Sequence, residues 1–141
     1  MSQNSALNAA ADAENTAVFT YGLLTAFTTG EVRRTVAQDI VDHRVRRDEL
    51  NEILLADGQP ERTPAAGYRL PIEVTDQGTA AQAAMAAEVD CEKAYRALLE
   101  QATDGAVRRT GVDGLTACAL RSSYWRGIAG VSPRTVAFPG Q

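Results

Sequence analysis

Two glutamates, one histidine and two cysteines are the residues of this 141-residue chain best suited to chemistry. Glu14, Glu88 and His43 are types that bind hard cations: carboxylates neutralise and bridge ions, and an imidazole completes the shell. His43 is the only histidine, and it lies in DIVDHRVRRDEL, residues 39–50, among arginines and acids. Three roles are open to it: metal ligand, catalytic base, or a residue that ties helices together. Other chemistries find no motif. There is no glycine-rich phosphate loop and no nucleophile elbow, and Ser122 and Ser123 have no second histidine to serve them. Cys91 and Cys118 lack a CxxC partner and are expected as buried thiols. A redox role for Cys91, near Glu88, would need a nearby cation to depress its pKa.

The elements that must position these residues are helices. Hydrophobic content of 45% and charged content of 23% are ordinary for a globular protein, and the length suits one domain, residues 1–141. The net charge of -4 argues against nucleic acid or an anionic membrane as partner. The first residues have no basic or apolar leader, and no apolar run approaches the ~20 residues of a membrane span, so a cytoplasmic protein is expected.

Four helices are predicted, over about 5–28, 31–57, 77–102 and 105–129. TTGEV at 28–32 is a tight turn, and DGQP at 57–60 is a stop signal. The second helix carries a heptad of Val36, Ile40, His43, Arg47, Leu50 and Leu54, and the third a stripe of Ala84, Glu88, Cys91, Tyr95, Leu98 and Ala102. Gly111 and Gly114 weaken the fourth helix, where a kink or break is open. In the tail TVAFPGQ, Phe138 is expected to pack back on the bundle.

The connections set the topology. Short turns make helices one and two antiparallel, and three and four likewise. Residues 58–76 hold Pro60, Pro64 and Pro71 and no helical period. A helix of about 25 residues is ~38 Å long, and about nineteen extended residues reach ~60 Å. The segment can therefore return along the whole bundle and start helix three parallel to helix two. That is an all-α, ferritin-like four-helix bundle with one long crossover.

The segments AENTAVFTYG, DHRVRRDEL, GYRLPIEVTD, EVDCEKAYRALL and TVAFPGQ, in this order, span nearly the whole chain. Together they resemble the actinobacterial ferritin-like proteins of unknown function, the DUF4439 family. The resemblance implies the four-helix fold and carries no activity with it.

Ferritin-like di-iron centres take one glutamate from each of two helices and a Glu-x-x-His pair from each of the others. Glu14 is well placed, seven residues before Tyr21. Ile40 stands where a glutamate should precede His43, and Cys91 stands where a histidine should follow Glu88. Helix four offers no acid or histidine after Asp113, and brings Arg121, Ser122, Ser123, Tyr124, Trp125 and Arg126. A di-iron centre is not expected. Buried acids then need cations or donors. The expected substitute is a polar cluster of Glu14 and Glu88 with His43 and Arg47, closed by the hydroxyls of Tyr21 and Tyr95. Such a cluster would pin the four helices in register.

The other charges read as surface: Arg44, Arg46, Asp48 and Glu49 of the run in which only Arg47 is on the core stripe, and the arginine pairs at 33–34 and 108–109. Tyr124 and Trp125 read as core or interface residues. Alanine-rich faces on helices one and three permit close approach, so a homodimer is expected. Two functions stay open. One is a non-enzymatic bundle acting in binding or assembly, without a cofactor. The other is a mononuclear metal or small-ligand-binding protein with redox activity, holding a single Zn, Fe or Mn ion on Glu14, His43 and Glu88.

Overall fold

The computed structural model describes residues 1–141. It contains four long helices and no strand: α1 (Gln3–Leu24), α2 (Gly30–Ala56), α3 (Gln77–Gln101) and α4 (Gly105–Ala129). Three of the starts are fixed by side chains that satisfy otherwise unpaired N–H groups. Ser2 and Ser5 form a capping box for α1, Asp76 and Thr79 form one for α3, and Asp104 accepts from the Val107 N–H at α4. α1 ends at Leu24, short of Thr28, and tightens into a single 3-10 turn over Thr25–Phe27. Threonines 25 and 28 turn their hydroxyls back to the carbonyls of Tyr21 and Leu24, which satisfies backbone acceptors as the helix closes.

Contacts at the helix ends fix the directions. Asn4 of α1 bonds Asp57 after α2, so these two run antiparallel. Gln3 bonds Thr103 after α3, which makes α1 and α3 antiparallel. The Thr29 N–H bonds Gln77, so α2 and α3 start at the same end. The crossover between them is pinned along α1 and α2. Asn51 holds the Arg62 backbone, accepting from its N–H at 2.8 Å and donating to its carbonyl at 3.3 Å. The Arg62 guanidinium makes two 2.9 Å bonds to Asp12. Tyr68 packs on Phe19 with ring centroids 5.4 Å apart. This is the ferritin-like arrangement, with its one long crossover.

Small side chains let α1 and α3 approach closely. Ala6, Ala10, Ala11 and Ala17 of α1 and Ala80, Ala81, Ala83, Ala84 and Ala87 of α3 are all buried within the chain. The alanine faces from which a homodimer was expected are therefore occupied internally. α4 runs unbroken through Gly111 and Gly114. A Cβ at Gly114 would lie 2.3 Å from the Tyr95 ring, and one at Gly111 would lie 2.9 Å from Leu99. The two glycines are a notch for α3 rather than a hinge, and close packing offsets their propensity cost of about 1 kcal/mol each. Phe138 is 67% exposed, contrary to expectation; Gly140 is the tail residue that sits against α3. No helix is long and apolar enough to cross a membrane.

Candidate functional site: a closed ionic centre

Each helix sends one charged side chain to the middle of the bundle: Glu14 from α1, His43 from α2, Glu88 from α3 and Arg121 from α4. The first three are 0% exposed and Arg121 is 11% exposed. His43 spans the two acids. Its Nδ1 lies 2.5 Å from Glu14 Oε2, and its Nε2 lies 2.7 Å from Glu88 Oε1. Both nitrogens therefore meet acceptors, and only the imidazolium can donate from both. Burial works against that charge. The Glu88 charge and the hydrogen bonds His43 donates to both glutamates outweigh burial and lift His43 to about 10. Burial likewise opposes the Glu88 carboxylate, yet His43, with Arg121, holds it below the usual range. Arg121 donates from Nε to the same Glu88 Oε1 at 2.9 Å. Two carboxylates and two cations thus offset one another, which is what makes dehydration of all four tolerable.

The tyrosines complete it reciprocally. Tyr95 of α3 donates to Glu14 Oε1 of α1 at 2.6 Å, and Tyr21 of α1 donates to Glu88 Oε1 of α3 at 2.6 Å. In each helix the acid and the tyrosine are seven residues apart, on one face. Burial first, then the neighbouring acids, push both phenols well above their ordinary values, so they act as donors and not as bases. Trp125 extends the chain of bonds by donating to the Tyr21 hydroxyl at 2.8 Å.

Five of the six residues read from the sequence meet here: Glu14, Tyr21, His43, Glu88 and Tyr95. Arg47 does not. It is 24% exposed and pairs with its neighbour Asp48 at 3.0 Å. Arg47 lies one turn beyond His43, and its long stem reaches water, where a guanidinium keeps its hydration. Arg121 takes the place assigned to Arg47. The signal for it was present: Cys118, Arg121 or Ser122, and Trp125 recur at a spacing of three to four on α4, one inward stripe.

Three further groups surround the centre. Asp39 of α2 is buried, and burial followed by the Glu88 charge raises it to about 6. Asp39 Oδ2 and Glu88 Oε2 have no protein partner; the raised Asp39 carboxyl can take a proton there, whereas Glu88 is held ionised. Glu92 is buried beside Ser122, which donates to it at 2.5 Å. Cys91 and Cys118 are free, buried thiols. A hydrogen bond with Cys118, then burial and the nearby glutamates, push Cys91 well above its ordinary value, the wrong direction for a nucleophile.

Glu14 and Glu88 meet opposite edges of the imidazole, so a single ion bound to one ring nitrogen cannot collect both. The set with ligand atoms within 4.8 Å of one another is Glu14, His43 and Cys91.

Solved structures place the fold. A conserved hypothetical protein from Mycobacterium tuberculosis superposes with a TM-score of 0.87 and 32% identity, over 89% of this chain and 96% of that one. A Bacillus anthracis str. Ames structure described as ferritin-like, diiron-carboxylate proteins superposes with a TM-score of 0.69 and 19% identity, over 89% and 91%. That likeness concerns the fold. No functionally curated protein matches the chain. Residues 6–141 match the family described as a domain of unknown function, and the chain belongs to that family, DUF4439.

Proposed function

We propose that this protein is a metal-independent form of the ferritin-like fold, acting in the cytoplasm in binding or assembly rather than in catalysis. One observation carries the reading: the acid at the middle of the bundle is taken up by an imidazolium and a guanidinium, both on Glu88 Oε1. The residues present do not fit a pair of iron ions. α2 supplies one histidine, engaged at both nitrogens, and the inward stripe of α4 supplies no acid or imidazole but Cys118 and Arg121. The centre then serves stability and register. A homodimer would have to use faces other than the buried alanines.

A second reading has its own observation, the Glu14–His43–Cys91 set. It could hold one Zn, Fe or Mn ion, but only after His43 and Cys91 each lost a proton that the surroundings hold tightly. Elemental analysis of protein purified without chelator, before and after incubation with each metal at neutral pH, separates the two. Metal well below one ion per chain is expected. Near-stoichiometric metal would overturn the first reading and favour the second.

A further inference from the structure

Outside the centre, the C-terminal residues 131–141 form a strap across α3 and α4. Arg126 of α4 donates from Nε to the Pro133 carbonyl at 2.6 Å, and Arg134 donates from Nε to the Ser123 carbonyl at 3.4 Å. The far end rests on α3. Gly140 has φ +82, and a Cβ there would stand 2.6 Å from the Glu92 carbonyl oxygen, so the approach requires glycine.

Helices and strap line an open groove of about 430 Å³, with Leu120 on its rim 68% exposed; the volume is within the size range of small-molecule sites. Its lining changes character along α4. Leu115, Ala119 and Leu120 form one end; Ser122, Ser123, Arg126 and Arg134, with Val89 of α3, form the other. From Leu115 to Arg126 the helix rises about 16 Å, and the apolar part, Leu115 to Leu120, spans about 8 Å of that. Arg126 and Arg134 spend only Nε on the strap, which leaves their Nη donors unbonded to protein. Glu92 also lines the polar end. Its carboxyl is raised by burial and occupied by Ser122, so it opposes an anion less than an exposed glutamate would.

We propose that this groove binds a small amphipathic carboxylate, its alkyl chain along Leu115, Ala119 and Leu120 and its carboxylate between Arg126 and Arg134. Charge complementarity selects the anion: two guanidinium forks match a carboxylate and repel an ammonium. The length of the apolar end selects a chain of about eight carbons. The site shares no residue with Glu14, His43 or Glu88, so it stands or falls separately from the absence of metal.

Octanoate is the probe, with octylammonium as its charge-reversed control, titrated calorimetrically into the full chain at neutral pH. Saturable one-to-one binding of octanoate is expected, with octylammonium at least about tenfold weaker. Arg134→Gln, at an exposed position, should weaken octanoate by about tenfold, and Ala119→Phe should abolish binding by filling the apolar end. Both variants should keep the parent far-UV circular dichroism. The proposal is overturned by an absence of saturable octanoate binding, by equal affinity for octylammonium, or by unchanged affinity in a folded Ala119→Phe protein.

Discussion

α2 carries two charged neighbourhoods one turn apart, and they behave differently. At His43 the ionic groups are dehydrated, each hydrogen bond is short, and four helices depend on them. At Arg46–Glu49 and Arg47–Asp48 the same kinds of groups lie in water, 3.0–3.3 Å apart, and tie the helix only to itself. Solvent makes the difference. An exposed pair gains about 0–1 kcal/mol because water screens it. A buried set gains little as a whole, yet removing one member strands the others at a cost of about 3–5 kcal/mol.

The sharpest way to break that contrast is Glu88→Gln. It keeps the shape and removes the charge that His43 and Arg121 share, so a loss of about 3–5 kcal/mol in denaturant unfolding is expected. An unchanged midpoint would mean that the centre adds nothing beyond packing. The pH profile reads the same groups without mutation. His43 is raised from an ordinary 6.5 to about 10, so its contribution is complete below about 6.5 and is lost as pH rises toward 10. Stability should fall between pH 7 and 9 by up to about 1.4 kcal/mol per unit, before Cys91, Tyr21 and Tyr95 add the same sign from their ordinary values of 9.0 and 10.0 upward. The slope should flatten in Glu88→Gln, and nitrogen-15 shifts of His43 should show both ring nitrogens protonated at pH 8.

Gly114→Ala tests the notch. The added methyl meets the Tyr95 ring, and displacing the ring also strains its bond to Glu14, so a loss of about 1–3 kcal/mol is expected. A smaller effect would show that α4 can simply move aside. The least consequential change should be Arg47→Gln, within about 0.5 kcal/mol of the parent in the same unfolding assay. A larger loss would erase the distinction between the two neighbourhoods.

Much of the bundle was legible because punctuation and reach are local properties. The stop at Gly58 and Pro60 and the length of the crossover constrain topology without any packing detail. The acids, tyrosines and histidine of the centre were legible because polar residues on inward stripes must find partners. The cation was not. A heptad gives the angle of Arg47 around α2 but neither its height relative to Glu88 nor the freedom of its stem to reach water. Gly111 and Gly114 misled for a related reason: propensity treats a glycine as a weak link, whereas here the missing side chains admit Leu99 and Tyr95. Phe138 illustrates the converse, since an apolar residue near the chain end need not be covered.

The exchange of tyrosines between α1 and α3 has a consequence for how the chain is divided. Glu14 and Tyr21 give to α3 what Glu88 and Tyr95 give to α1, with the same seven-residue spacing on antiparallel helices. That is the pattern of a two-fold interface between identical partners, written within one polypeptide. α1–α2 and α3–α4 are then two hairpins facing each other across a local dyad. A slip of either hairpin by one turn would break both acid–tyrosine bonds at once.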